Sequence, residues 1–278
     1  MFKERNLLIA TKHEKERVIA PILEKELGVK CILAENFDTD ELGTFSGEIE
    51  RKSDPITTVR EKCIRGMKLA NCDLAVANEG SFGTRPTLGF VNADDEIIML
   101  IDTKNNLEIV VREISINTNF NGKEIKTEQE LITFADRVDF PNHGLIIRKN
   151  HGDNSEIIKG ITNPTILLKT FKAFKSKYGL AYVETDMRAM YNPTRMEVIK
   201  IAAQKLADKI VSLCPQCFTP GFGITEVKMG LPCSLCGFPT RSTLSHEYKC
   251  VKCQYKEERK YPHKKTTEEP TFCDNCNP

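Results

Sequence analysis

Eight cysteines in the last 65 residues stand in four Cys-x-x-Cys pairs, Cys214/Cys217, Cys233/Cys236, Cys250/Cys253 and Cys273/Cys276, with gaps of 15, 13 and 19 residues between them. A Cys-x-x-Cys turn brings two thiolates to one ion, and two such turns complete a tetrahedral tetra-cysteine site. Eight ligands therefore predict two zinc ions. With sulfur in every position both are expected to be structural. A redox pair of the thioredoxin kind would need a βαβ context, which this Pro- and Gly-containing tail does not offer.

A second stretch with chemistry in it runs from Tyr182 to Arg195, where Glu184, Asp186 and Arg188 lie between the strand Ala181-Tyr-Val and a helix opening at Asn192-Pro193. Asn192 reads as the N-cap and Pro193 as the first helical residue, with Arg195 one turn in. A loop between a strand end and a helix N-terminus can hold an anion. The other reading is a structural ion-pair network of Asp186 with the two arginines. Both stay open.

These residues need a scaffold, and 278 residues with 40% hydrophobic content are ample for one. The net charge of +1 gives no overall pull toward nucleic acid or anionic lipid. Only four apolar residues, Leu7 to Ala10, follow Met-Phe-Lys-Glu-Arg at the N-terminus, too few for a signal peptide or membrane span. A cytoplasmic location is expected. Cys31, Cys63 and Cys72 sit in apolar patterns and read as small core residues.

The scaffold reads as alternating strands and helices. Leu7–Ala10 is a strand, and Glu14 to Leu27 an amphipathic helix with a kink or restart expected at Pro21. Val29 to Ala34 is a strand, followed by a polar stretch with a hairpin around Thr44 to Ile49. Asp54-Pro55 opens a helix with Val59, Cys63, Ile64, Met67 and Ala70 inward, ending near Asn71. Asp73 to Ala77 is a short strand, and Asn78 to Pro86, with two glycines, reads as a tight loop. Glu96–Asp102 and Leu107–Ile116 form a hairpin across Thr103–Asn106. Thr127 with Glu130 is a capping box, Leu145–Arg148 and Glu156–Lys159 are strands, and Asn163-Pro164 and Asn192-Pro193 each open a helix. This order predicts an α/β domain over 1–212, a mixed sheet flanked by helices, followed by a zinc-binding module over 213–278 with two tetra-cysteine sites.

In the module, Cys233-Ser-Leu-Cys-Gly and Cys250-Val-Lys-Cys-Gln resemble the knuckles of a zinc ribbon, with Phe238 to Lys249 as the hairpin between them. That would leave Cys214/Cys217 and Cys273/Cys276 to share the outer ion. Sequential pairing is the rival. Nine Lys and Arg stand against seven Asp and Glu from Cys214 onward, so two tetrathiolate zinc centres would leave the tail at about −2. General nucleic-acid binding is not expected. The Lys249–Lys265 cluster, with Tyr255 and Tyr261 interleaved, reads first as a solvated face.

Leu8-Ile-Ala-Thr-Lys-His, Phe37-Asp-Thr-Asp, Gly43-Thr-Phe, Glu79-Gly-Ser-Phe-Gly, the Glu184-to-Met196 stretch and the cysteines ending in Cys276-Asn-Pro resemble a bacterial family known only as a domain of unknown function. That resemblance runs nearly end to end and implies no activity. The body alone is similar to nucleoside-triphosphate pyrophosphatases of the inosine-triphosphatase kind. Those enzymes open with a strand ending in Ala-Thr near a lysine, as Ala10-Thr11 with Lys12 or Lys15 do here. They carry an acid after a buried strand, as Glu79 is, and an arginine early in a late helix, as Arg195 is. The lysine spacing departs from that pattern, and Asn78 stands where a second acid would be.

Two functions follow as expectations. In the first, a hydrolase acts on a nucleotide or other phosphorylated small molecule: Glu79, Glu184 and Asp186 hold Mg²⁺, and Lys12, Arg188 and Arg195 bind phosphate oxygens. In the second, a non-enzymatic adaptor binds a ligand with its body and docks a protein or RNA partner with its tail. His143 reads as a satisfied core or loop histidine and His151 as part of a Gly-Asp-Asn turn, while Cys63 has no basic partner nearby in sequence and Ser81 lacks a Gly-x-Ser-x-Gly context.

Overall fold

The computed structural model describes residues 1–34, 37, 53–85 and 91–278. The hairpin expected around Thr44 to Ile49, the Phe37-Asp-Thr-Asp motif beyond Phe37 itself, the Gly43-Thr-Phe motif and Pro86 lie outside them. The chain forms two compact units, Met1–Ala207 and Asp208–Pro278. No helix among the described residues is long and apolar enough to cross a membrane.

The first unit begins with β1 (Asn6–Ala10), α1 (Glu16–Leu27), β2 (Lys30–Ile32), α2 (Pro55–Ala70), β3 (Leu74–Arg85), β4 (Val91–Asp102) and β5 (Leu107–Ser115). These strands form a five-stranded mixed sheet in the order β2-β1-β3-β4-β5, parallel across the first three and antiparallel after β3. Val59, Cys63 and Met67 of α2 pack on Leu8, Ala75, Ala77 and Met99 on one face. The alternate residues Leu7, Ile9, Val76 and Ile98 are buried on the other.

A second sheet follows from β6 (Gly122–Ile125), α3 (Glu128–Arg137), β7 (Leu145–Arg148), β8 (Ile157–Ile161), α4 (Pro164–Tyr178) and β9 (Ala181–Thr185), and leads into α5 (Pro193–Val211). Its order is β6-β9-β7-β8, antiparallel throughout. Leu131 and Phe134 of α3 and Leu167, Phe171 and Phe174 of α4 join Leu145, Ile147 and Val183 in its core. The α/β class with a mixed sheet flanked by helices holds, with an antiparallel sheet added.

Helix starts follow their caps. Asp54 accepts from Ile56 and Thr57 N–H, Asn163 from Thr165 and Ile166, and Asn192 from Arg195, while Thr127 and Glu130 cap reciprocally. Other expectations need correction. Helix α1 runs unbroken through Pro21, whose exposed position lets the lost backbone bond fall on the solvent side. Ile64 faces outward at 51% exposure, and Lys62 is buried in its place because an acid waits for it on β3.

The largest correction concerns Asn78 to Arg85, which is no loop. β3 continues through it in register with β4, from Asn78 opposite Ile98 to Arg85 opposite Val91. Gly80 marks a close approach rather than a turn: a Cβ there would lie 2.5 Å from Arg195 Nη2 and from Glu96 Oε1.

The second unit carries β10 (Gly223–Met229), β11 (Thr243–Lys249) and β12 (Lys256–Lys260), an antiparallel sheet in that order. Its buried core centres on Cys214, Phe222 and Cys250, with Tyr248 and Tyr255 packed against it. So little apolar surface cannot hold 71 residues together without a further constraint. For the first unit, Gly80→Ala is expected to destabilise by about 1–3 kcal/mol through the clash at Arg195 and Glu96, read by denaturant unfolding. An unchanged midpoint would contradict that crowding.

Candidate functional site

At the end of the five-stranded sheet, strand alternation turns Asn78, Gly80 and Phe82 of β3 and Asp94 and Glu96 of β4 to one face, and Glu79 and Asp95 to the other. On the first face Arg195 donates from Nε to Glu96 Oε1 at 2.7 Å and from Nη1 to the Met187 carbonyl at 2.6 Å. Its guanidinium lies over the Phe82 ring, 5.1 Å from the centroid. Asn78 Nδ2 donates to Glu96 Oε2 at 2.8 Å, and Lys15 Nζ donates to Asn78 Oδ1 at 2.8 Å. Lys15, Asn78, Asp94, Glu96 and Arg195 are all buried.

Burial, with Arg195 adding to it, lowers the Lys15 ammonium to about 7. Burial and the neighbouring Glu96 carboxylate push the Asp94 carboxyl up to about 8, and Asp94 Oδ1 has no hydrogen-bond partner. On the α2 face Lys62 pairs with Glu79, both buried, and Arg112 holds Asp95 at 2.6 Å.

The Tyr182-to-Arg195 stretch meets this centre from the second sheet. Asp186, wholly buried, accepts from Arg188 Nη2 at 2.6 Å, from Arg188 Nε and from the Gly160 N–H at 3.0 Å. Gly160, at φ +70°, could carry no Cβ without meeting the Tyr191 ring, and Arg188 lies 4.6 Å over that ring. Glu184 pairs with Arg148, which also donates to Asn154 at 2.7 Å. Burial raises the Glu184 carboxyl against the pull of Arg148. Glu184, Asp186, Met187 and Arg188 line a small cleft of about 50 Å³ with Phe120 and Ile146.

The residues singled out from sequence thus fall into two groups. Arg195 joins the centre, with Glu79 on the strand between Asn78 and Gly80 but turned to α2. Asp186 and Arg188 lie on the loop next to it, linked through Met187, and Glu184 on the end of β9 that leads into that loop. Lys12 is exposed, and the buried lysine of that segment is Lys15. Sequence reasoning passed over Lys62, Asp94 and Glu96. Asp94 and Asp95 lie just before the strand expected from Glu96, and only its continuation back to Val91 shows that Asp94 and Glu96 share an inward face.

In the tail, the four sulfurs of Cys214, Cys217, Cys250 and Cys253 lie within 4.8 Å of one another, as do those of Cys233, Cys236, Cys273 and Cys276. Individual separations are 3.6 Å for Cys214–Cys253 and Cys217–Cys250, 3.9 Å for Cys233–Cys276 and 3.7 Å for Cys236–Cys273. A tetrahedron with zinc–sulfur bonds of about 2.3 Å has edges of about 3.8 Å, so each cluster has the size to hold a metal ion. All four knuckles share one turn: the N–H groups of Phe218, Gly237, Gln254 and Asn277 bond to the carbonyls of Cys214, Cys233, Cys250 and Cys273.

Pair one shares its site with pair three, and pair two with pair four, so the arrangement is neither nested nor sequential. Sheet register is the cause. Gly223 pairs with Lys249, which sets the knuckle before β10 beside the knuckle after β11. Met229 pairs with Thr243 at the other end, where the connection carries Cys233 and Cys236. β12 ends there too, with Lys260 opposite Ser245, and returns the chain to a bridge between Cys233 and Glu268. The hairpin is therefore β10–β11, not Phe238 to Lys249. In the Lys249–Lys265 stretch, Lys256 pairs with Glu247, Arg259 with Glu257 and Lys265 with Glu268.

Residues 62–278 match the family described as Domain of unknown function (DUF6671). The chain belongs to that family. No curated protein matches it. Among solved structures, the crystal structure of protein VC0702 from Vibrio cholerae aligns over 75% of this chain and 96% of its own, at 10% identity and a TM-score of 0.32. So low a score carries no argument. The family match spans both cysteine clusters, β4 and the Glu184–Arg195 stretch, and begins at Lys62.

Interleaving has a direct spectroscopic consequence. The protein loaded with cadmium-113 should give two tetrathiolate resonances, with Cys214→Ser and Cys250→Ser removing the same one and Cys233→Ser and Cys273→Ser the other. Loss of one shared resonance in Cys233→Ser and Cys250→Ser would restore the nested arrangement.

Proposed function

We propose that the body binds a nucleotide or another phosphorylated small molecule and hydrolyses it with a divalent cation, and that the tail carries two structural zinc ions. One observation carries the first part: Lys15, Glu96 and Arg195, from three distant segments, meet in a connected buried network just beyond Ala10 and Ala77, the last parallel pair of β1 and β3. That is where α/β proteins place ligands. The order of signals similar to the inosine-triphosphatase kind adds to it.

In this reading Arg195 and Lys15 supply the positive charge that binds phosphate oxygens. Arg195 is held in orientation by Glu96 and the Met187 carbonyl. Glu79 is the nominated acid nearest the network in sequence and stays a candidate for the acidic machinery. Glu184 and Asp186, each engaged by an arginine, hold the adjoining loop in shape. Arg188, on that loop, is the outer candidate for phosphate contact. The cation would polarise a phosphoryl oxygen and activate water.

The closed sulfur sets leave no position for substrate, and zinc binding would supply the folding energy that the tail's small core lacks. A second reading, a docking role for the tail, is favoured by the apolar residues at the knuckles: Phe218, Leu235 and Val251 are 69%, 74% and 60% exposed. Incubation with nucleoside di- and triphosphates and sugar phosphates in Mg²⁺ or Mn²⁺ should release phosphate or pyrophosphate. Arg195→Gln should lower kcat/KM about 100-fold or more. No release from any of them, or release indifferent to Arg195, contradicts the hydrolase.

A further inference from the structure

We propose that Asp94 and Glu96 together hold a divalent cation of the magnesium or manganese kind. This deepens, and rests on, the reading of the body as a cation-assisted hydrolase, and it sets the ion on β4 rather than on Glu79 and Asp186.

Two residues apart on one strand, Asp94 and Glu96 share a face, opposite Phe82 and Gly80 of β3. They are 1% and 0% exposed. Glu96 spends one bond on each oxygen, Arg195 on Oε1 and Asn78 on Oε2, and a carboxylate oxygen has room for a second partner. Asp94 is the decisive residue. Its Oδ1 is buried and accepts nothing, while its neighbour on the face is another acid. Asp94 touches Glu96 and feels the charges of Arg195 and Lys15, but none of them reaches Oδ1, and a buried carboxylate oxygen without a donor is disfavoured, so a further ligand belongs beside it.

A proton and a metal ion are the two choices, and the geometry separates them. One proton shared between the two carboxyls makes a single bond and leaves Oδ1 as it stands. An ion of high coordination number takes oxygens from both residues. Donors that are all oxygen select a hard ion, and magnesium commonly takes only one or two carboxylates from a protein, completing its shell with water and substrate phosphate. The charge balance points the same way. Asp94 and Glu96 with Arg195 and Lys15 carry no net charge as ionised groups, whereas a divalent cation among them leaves the centre positive, as a phosphate requires. Arg195 and Asn78 then orient the ligand Glu96 from outside the coordination shell.

The test is a titration of the full-length, zinc-loaded protein with Mn²⁺, following the free aqueous ion by electron paramagnetic resonance. One Mn²⁺ should bind per chain and compete with Mg²⁺. Asp94→Asn should weaken it about tenfold or more, and Asp95→Asn, on the opposite face, should leave it unchanged. Asp94→Ser repeats the test with a smaller side chain, and Mn²⁺ should raise the thermal midpoint of the wild type whichever variant folds. Absence of binding to the wild type at millimolar Mn²⁺, or binding as tight as the wild type's by both Asp94 variants, overturns the site. Mn²⁺ bound through Asp94 with no phosphate released from any substrate would keep the site and remove the hydrolase. Phosphate release with Mn²⁺ binding indifferent to Asp94 would do the reverse.

Discussion

Glu96 and Arg195 meet 2.7 Å apart with neither side chain reaching water. Removing two charges from solvent costs several kcal/mol per ion, and their attraction offsets that only when the remaining donors and acceptors are satisfied as well. Here Asn78 takes the second oxygen of Glu96, and the Met187 carbonyl and the Phe82 ring take up much of the guanidinium. That requirement reaches outward. It holds Gly80 without a side chain, draws Lys15 in behind Asn78, and fixes the Asp186–Arg188 loop through the carbonyl that Arg195 holds. The bond spans 99 residues of chain and ties the five-stranded sheet to the helix that follows the second one.

Stability alone explains such a centre poorly, because well-packed apolar residues of similar volume commonly serve as well or better. Its members are strained away from their ordinary ionisation: Lys15 toward neutrality and Asp94 toward its acid form. Perturbed groups of opposite kind gather here just beyond the last parallel pair of β1 and β3, a setting that functional sites share with structural ion-pair networks. The tail follows the opposite logic. Its cysteines form closed sets, its surface charges pair locally, and its sheet register decides which knuckles face each other.

Local signals in the sequence were legible wherever a local rule decides. Asp54-Pro55, Thr127 with Glu130, Asn163-Pro164 and Asn192-Pro193 mark four helix starts because capping is settled within four residues. The eight cysteines announce metal sites because ligand spacing is itself local. What escaped depends on distant partners. Gly80 reads as a turn until Arg195 is seen against it, and Ile64 as core until Lys62 is needed by Glu79. Glu96 stands at the edge of the strand read from sequence and Asp94 outside it, and their inward face appears only when β4 is paired along its length with β3. The cysteine pairing stayed hidden because the β10–β11 register, not the gap lengths, selects it.

A double-mutant cycle at the central pair tests this account most directly, with Glu96→Gln, Arg195→Met and the double variant compared in unfolding free energy. Each single change should cost about 3–5 kcal/mol by leaving a buried charge alone, and the double variant much less than their sum, a coupling of at least about 2 kcal/mol. Costs that add within about 0.5 kcal/mol would mean that the two charges do not depend on each other, and the centre described here would lose its anchor.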